Sequence, residues 1–264
     1  MEDIIKSILL GVVQGLAEFL PVSSSGHIEL FKALFHVDFG KDNLLFTSII
    51  HGATVLSTIV VFRKDIIEIS KDVLKFEMNK STKFLLYIIV SMLPVLVVGL
   101  FFKNFVEQFF NQNILLVGCM LLLTGILLLL TKYVSVKERN ISYGNAFIIG
   151  LAQAISVLPG ISRSGATIST GLLLGIDKSK MAKFSFLMVI PPILGAMLLD
   201  LKDFMEQGAS TISSGELIGG FLAAFITGLL ACQIMIKIVK QGKIQYFAYY
   251  CFLVGVIAIA VSWF

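Results

Sequence analysis

Charge is what this chain has least of. Of its 264 residues only 14% are Asp, Glu, Lys or Arg, against 57% hydrophobic, and the mean hydropathy is +0.93. A soluble domain of this length has no use for so much apolar surface; long uncharged runs indicate a polytopic membrane protein. Cysteine is scarce as well. Cys119, Cys232 and Cys251 fall in apolar runs at spacings that suit neither a zinc site nor a disulfide framework, so they read as small core residues. A cleaved signal is not expected: Glu2 and Asp3 precede Lys6, and no A-x-A site follows a short apolar core. The net charge of +4 does not point to nucleic acid, because the basic residues flank the apolar segments and serve as topology signals.

A bilayer core about 30 Å thick takes about 20 helical residues. Six stretches are of that order: 44–62, 84–102, 113–131, 184–200, 216–238 and 245–264. Two regions are not. Residues 4–35 run helix-like to Leu20, break at "PVSSSG" and resume from Ile28 to Phe35. Residues 145–175 divide around "PGISRSG", and the arms 145–158 and 166–175 would be roughly 21 Å and 15 Å long at 1.5 Å per residue. Neither pair crosses a bilayer twice. Each is expected to be a re-entrant helical hairpin whose broken tip is buried in protein or lines a wet cavity. The expected fold is an all-α polytopic membrane protein, a single membrane domain over 1–264 with six transmembrane helices and two re-entrant hairpins.

The two broken regions match each other. A shift of 139 aligns Gly11 with Gly150, Gln14 with Gln153, Ser23 with Ser162, Ser25 with Ser164, Gly26 with Gly165, Asp38 with Asp177 and Lys41 with Lys180. Matches at equivalent places in the segment plan predict internal repeats of approximately 1–135 and 140–264. A hairpin does not change sides and three crossings do, so the second repeat must be inverted, with both tips near the midplane as in transporters. Loops 63–83, 132–144, 176–183 and 237–244 carry fifteen Lys and Arg residues, whereas the opposite side carries five, Lys6, Lys32, Lys41, Lys103 and Lys202. That bias puts the basic side in the cytoplasm, with both termini and the mouth of the first hairpin outside.

Polar residues gather at the breaks. Gln14 and Glu18, four apart, share a helix face with Gly11 and Gly15. The glycines suit close helix packing. An acid inside a membrane segment marks a pathway or a site, which singles out Glu18. Ser23, Ser24 and Ser25 stand at the start of the second arm, where hydroxyls and free N–H groups bind phosphate or merely cap the helix. His27 lies three residues beyond Ser24 and is placed to share its proton. At the second tip Arg163 stands between Ser162 and Ser164, with Thr167 beyond; its planar fork suits phosphate, and an ion pair with Glu18 is its other use. At the shift of 139, Glu18 meets Val157, His27 meets Ala166 and Ser24 meets Arg163. One tip offers an acid, an imidazole and a hydroxyl; the other offers a phosphate clamp, which is the asymmetry phosphoryl transfer needs. His51 would support the site from the next helix, His36 is a boundary residue, and Asp200 and Glu216 at segment ends need no role.

"QGLAEFLPVSSSGH" and "PGISRSGAT" resemble the two signatures of the bacitracin-resistance family of membrane undecaprenyl-diphosphatases: Glu or Gln, three residues, Glu; and Pro-Gly-x-Ser-Arg-Ser-x-x-Thr. Both match in full, at Gln14 and Glu18 and from Pro159 to Thr167, and segment order and length agree over the whole chain. Gln14 takes the permitted alternative, which removes a second acid. The resemblance implies hydrolysis of undecaprenyl diphosphate to undecaprenyl phosphate, the lipid carrier of peptidoglycan and other envelope polymers, in the bacterial cytoplasmic membrane. It implies Glu18, Ser24, His27 and Arg163 as catalytic positions, and Mg²⁺ or Ca²⁺ as an activator for which Glu18 is the most available carboxylate. Gln14, Ser23, Ser25, Ser162, Ser164 and Thr167 would hold the phosphates.

Two routes are expected to compete. In one, Ser24 attacks phosphorus while His27 takes its proton; in the other, water attacks, activated by His27 or Glu18. A transporter or flippase of a polyprenyl phosphate is the rival of another class, since architecture does not settle function. The partners expected are the polyprenyl diphosphate and membrane lipids. A homodimer would also be allowed if the faces carrying Gly219, Gly220 and Gly228 pack between chains rather than within one.

Overall fold

Pro21 cannot continue a helix, and α1 (Glu2–Phe19) stops just before it; α2 (Ser24–Phe35) begins after a turn. The same break separates α7 (Tyr143–Ile155) from α8 (Arg163–Leu173) around Pro159. Between these pairs lie α3 (Asn43–Val61), α4 (Arg63–Val73), α5 (Lys80–Phe101) and α6 (Ile114–Leu130). After them come α9 (Lys178–Met188), α10 (Ile190–Gln207), α11 (Ser214–Lys240) and α12 (Tyr246–Val261). This computed structural model describes residues 2–35, 43–102, 105–106, 108–109, 113–134, 139–207 and 212–263. His36, Asp38, Lys41, Lys103 and Lys137 lie outside the described residues.

Polar residues at the segment boundaries start the helices. Asn79 caps α5 by accepting from the Thr82 N–H at 2.9 Å, and Asn113 caps α6 through Leu116 N at 3.0 Å. Asp177 accepts from Ser179 N and Lys180 N at α9, and at α11 Ser213 Oγ accepts from the Glu216 N–H and donates to the Glu216 carboxylate. Among the described residues, Lys80–Phe101, Ile114–Tyr133, Lys178–Asp200 and Ser214–Lys240 are long and apolar enough to cross a membrane. The expected span at 44–62 is α3, which meets that standard only when joined to α4, and the two are bent by 75°. The expected span at 245–264 is the 16-residue α12, shorter than the other four.

Glycines set the packing. α1 lies parallel to α11 so closely that a Cβ on Gly11 would sit 2.3 Å from the Gly220 carbonyl oxygen. α7 lies along α5 in the same way, and a Cβ on Gly150 would sit 2.3 Å from the Ser91 oxygen. α6 crosses α12 where Gly118 and Gly255 meet, each Cβ position 2.9 Å from the other's carbonyl oxygen. α3 fills the space beside α11 and α10. Gly219 faces Ile8, Gly220 faces Phe46, and Gly228 faces Ser57 and Phe19, so these glycines pack helices within one chain.

The larger apolar core surrounds Phe19, Phe62, Phe184 and Phe186, with the Phe19 and Phe186 rings 5.7 Å apart. Cys232 and Cys251 belong to it; Cys119 does not, and is exposed on α6, which corrects its expected core position. The basic loops meet on one face. Lys183 Nζ is 2.5 Å from Asp65, Lys180 donates to Asn140 Oδ1 at 2.8 Å, and Arg139 bridges Ile176.

Gly150→Ala is expected to lower stability by about 1–3 kcal/mol, because the added carbon has backbone rather than a flexible side chain to displace. Gly99→Ala, where a Cβ meets nothing within 4 Å, is expected to cause no loss. Thermal unfolding of both variants in detergent checks the contrast.

Candidate active site

The two tips meet. A Cβ on Gly26 would lie 3.0 Å from Gly160 Cα, and one on Gly165 would lie 3.3 Å from Pro21 Cβ, so each tip rests on the break of the other. Each arm starts with a serine cap: Gly26 N–H donates to Ser23 Oγ at 3.2 Å and Gly165 N–H to Ser162 Oγ at 3.0 Å. Helices beyond the tips fix them in place. The Ser162 N–H donates to Thr124 Oγ1 of α6, which itself donates to the Gly160 carbonyl, and Cys251 Sγ on α12 donates to the Pro21 carbonyl. Ser23 has φ +70°, a left-handed conformation that a serine adopts at a cost of about 1 kcal/mol or more, imposed by the tight reversal after Pro21.

This junction brings Glu18 of α1 to Arg163 of α8, and the two form a largely buried ion pair through Glu18 Oε1. The other carboxylate oxygen accepts from Ser24 Oγ at 2.8 Å and from Gln14 Nε2 at 3.1 Å. Arg163 also reaches the Ser185 carbonyl with Nη1 at 3.5 Å. An acid, a hydroxyl and a guanidinium therefore form one connected group drawn from both tips. His51 faces it from α3. Its Nδ1 donates to the Thr47 carbonyl at 2.8 Å, which leaves the Nε2 lone pair toward Glu18 Oε2 at 3.9 Å.

The geometry corrects the expected link between Ser24 and His27. The His27 Nδ1 donates to the Ser23 carbonyl at 2.9 Å, and its Nε2 accepts from the Tyr250 hydroxyl at 2.7 Å, with the two rings stacked. With both nitrogens engaged, His27 does not accept a hydrogen bond from the Ser24 hydroxyl; Glu18 does. Three residues of spacing suggested proximity, but Ser24 is the first residue of α2 and its hydroxyl turns back to α1.

A cavity of about 590 Å³ opens on this group. Glu18, Ser24, Ser25, His51, Ser162 and Arg163 line it, as do Lys32, Asn43 and Asp200. Val95 of α5, Val189 just before α10, and Pro192, Ile193, Ala196 and Met197 of α10 form an apolar wall. Ser23, Ser164 and Thr167 do not line the cavity. Ser164 donates to the Leu20 carbonyl at 3.3 Å and so ties the second tip to the first, whereas Thr167 donates to Arg163 O at 2.9 Å and bonds Ser185 Oγ at 2.7 Å, tying α8 to α9. Asp200, to which no role was expected, lines the cavity and accepts from Ser48. Tyr250 sits in an apolar run and gave no signal.

The residues present do not form a divalent-cation cage. Among the described residues no three His, Cys, Asp or Glu side chains converge, and both oxygens of Glu18 are already taken by Arg163, Ser24 and Gln14.

The family model for bacitracin resistance protein BacA matches residues 7–257, and the chain belongs to this family. An undecaprenyl-diphosphatase of Bacteroides fragilis (strain YCH46) is 54% identical over 260 residues, 97% of each chain. One of Christiangramia forsetii is 53% identical over 262 residues, 99% of each. One of Methanococcus vannielii is 41% identical over 257 residues, 96% of this chain and 98% of that one.

Removing one member of a buried ion pair leaves the other charge in an apolar interior, at a cost of about 3–5 kcal/mol. Glu18→Ala and Arg163→Ala are each expected to destabilise strongly, and the double variant by about 1 kcal/mol or more less than their sum. A double-mutant cycle by denaturation in detergent reads this; strictly additive losses would mean that the two charges do not pair.

Proposed function

We propose that this member of the bacitracin resistance family hydrolyses undecaprenyl diphosphate to undecaprenyl phosphate and inorganic phosphate in the cavity between its two tips. The observation that carries the reading is the connected group of Ser24, Glu18 and Arg163 at the end of a cavity with one apolar wall. The polar end suits a diphosphate and the wall of α5 and α10 suits a prenyl tail.

The diphosphate would draw the Arg163 fork from Glu18 onto its terminal phosphoryl oxygens. That exchange frees the carboxylate beside Ser24. Ser24 Oγ attacks the terminal phosphorus, its proton passes to Glu18, and the bond from that phosphorus to the bridging oxygen breaks, releasing undecaprenyl phosphate. Water then attacks the phosphoserine, phosphate leaves, and Ser24 Oγ recovers a proton from Glu18. His51 faces the carboxylate from α3 throughout. His27 and Tyr250 brace the Ser23 turn from the side away from the cavity.

The exchange of partners between halves supports an inverted repeat with boundaries near 1–135 and 140–264. α1 packs on α11 as α7 packs on α5, and the equivalent glycines Gly11 and Gly150 make the same contact. In that reading α3 with α4, and α12, are spans, giving six crossings and two re-entrant hairpins. Of the residues that line the cavity, Asn43 begins α3 and Asp200 lies in the second half of α10, both far along their helices from the basic loops. With the basic face in the cytoplasm, the site opens to the outer side of the cytoplasmic membrane, where the spent carrier is left, and the enzyme recycles it.

Phosphate release from undecaprenyl diphosphate by the purified protein in detergent tests the proposal. Ser24→Ala, Glu18→Gln and Arg163→Lys are each expected to lose about 10²-fold or more in rate, the last because a point charge does not reproduce a fork. His27→Ala is expected to lose less than Ser24→Ala. Release abolished by EDTA and restored by Mg²⁺ would place a cation on the substrate's phosphates. Lipid binding without release, unaffected by Ser24→Ala, would overturn the phosphatase reading in favour of a transporter.

A further inference from the structure

Gln153, on α7, is 3% exposed and lines the same cavity as Ser156, Val157 and Arg163. Among the described residues neither atom of its amide has a hydrogen-bond partner, although both are buried. The other buried side chains with an unpartnered polar atom, Ser7, Gln14 and Ser169, do not line the cavity. A buried amide with both ends unsatisfied is costly, and its persistence at a site asks for a ligand.

The matching glutamine shows what kind. Gln14 donates its amide N–H to a carboxylate four residues on, Glu18 Oε2 at 3.1 Å. Gln153 has Val157 four residues on, so the same helix face holds the same donor with no anion to receive it. The acceptor has to come from outside the chain. Arg163, which the proposed reaction turns from Glu18 onto the substrate, lines the same cavity, so the partner that suits the Gln153 amide N–H is an oxygen of that same anion. A phosphoryl group has three terminal oxygens. The Arg163 fork takes two, and a neutral donor on the same wall suits the third.

We propose that Gln153 binds the terminal phosphoryl group of the substrate by donating from its side-chain Nε2, in the role toward the ligand that Gln14 plays toward Glu18. This rests on the phosphatase reading for the identity of the substrate, but the binding of a phosphoryl anion can be tested without turnover.

The test is thermal unfolding of the purified protein in detergent over a titration with inorganic pyrophosphate, beside phosphate release from undecaprenyl diphosphate. Pyrophosphate is expected to raise the melting temperature of wild type. In Gln153→Met the half-effect concentration is expected to rise about tenfold or more, the loss of one hydrogen bond to a charged group. In Gln153→Glu, which keeps the size and brings a negative charge, it is expected to rise further. Ligand-free Gln153→Met is expected to melt no lower than wild type, since the substitution removes an unpartnered polar group. An unchanged half-effect concentration in Gln153→Met overturns the proposal, as does the absence of any pyrophosphate effect on wild type. A lowered ligand-free melting temperature with an unchanged response assigns Gln153 to packing alone, which also overturns it. Wild type that releases no phosphate from the lipid, yet shows a Gln153-dependent response to pyrophosphate, defeats the phosphatase reading and leaves the phosphoryl site standing.

Discussion

Glu18 and Arg163 are 145 residues apart, and each carries a charge that an apolar interior tolerates only when paired. Their ion pair is the constraint on which the rest of the structure depends. For both charges to be satisfied, the broken end of α1 and the start of α8 must arrive at the same place. Helices that crossed without a break would carry these residues past each other. Pro21 and Pro159 supply the breaks, and serine caps satisfy the N–H groups that the new helix starts expose. The glycine contacts of α1 with α11 and of α7 with α5 then bring the arms close enough to hold the tips in register.

Much of this was legible in the sequence because it is written as absence. A membrane segment that stops at Pro21 and fills with hydroxyls has no use for lipid contact, and a matching break 139 residues later says the device is used twice. Gly11 and Gly150 align in sequence and make the same close approach in the structure, each to a backbone oxygen. Glu18 stood out because acids in such segments are expensive, and it is the centre of the polar group. Span counting was less secure. It rests on length, and α3 and α12 are close to the limit where composition no longer distinguishes a crossing helix from a buried one.

The internal geometry of the site was less legible, for a reason particular to helix starts. Sequence spacing tells which residues share a helix face, but Ser24 opens α2 and its hydroxyl points back along the chain to Glu18 rather than forward to His27. His27 is instead held by the Ser23 carbonyl and by Tyr250, a residue 223 positions away in an apolar run. His51, on α3, is the imidazole that faces the carboxylate. Ser164 and Thr167 looked like phosphate ligands because hydroxyls at a helix start can bind anions or brace backbone, and only the fold shows that they brace.

The two tips share a backbone plan and divide its chemistry, and that division restricts what the site can accept. As built, Glu18 has one oxygen on Arg163 and the other on Ser24 and Gln14, so the acid is fully occupied. In the proposed reaction Ser24 cannot pass its proton to Glu18 while that carboxylate serves Arg163, and Arg163 leaves only for a ligand that offers its fork at least as much negative charge. A carboxylate ligand would gain little over Glu18. A terminal phosphoryl group carries more charge on more oxygens, and it brings a third oxygen that the fork does not use. The apolar wall of α5 and α10 adds the second condition, since a free phosphate has nothing to lay against it. Under the proposed mechanism the resting ion pair is therefore both the structural clasp between the tips and the test that a ligand must pass before the serine is released to react.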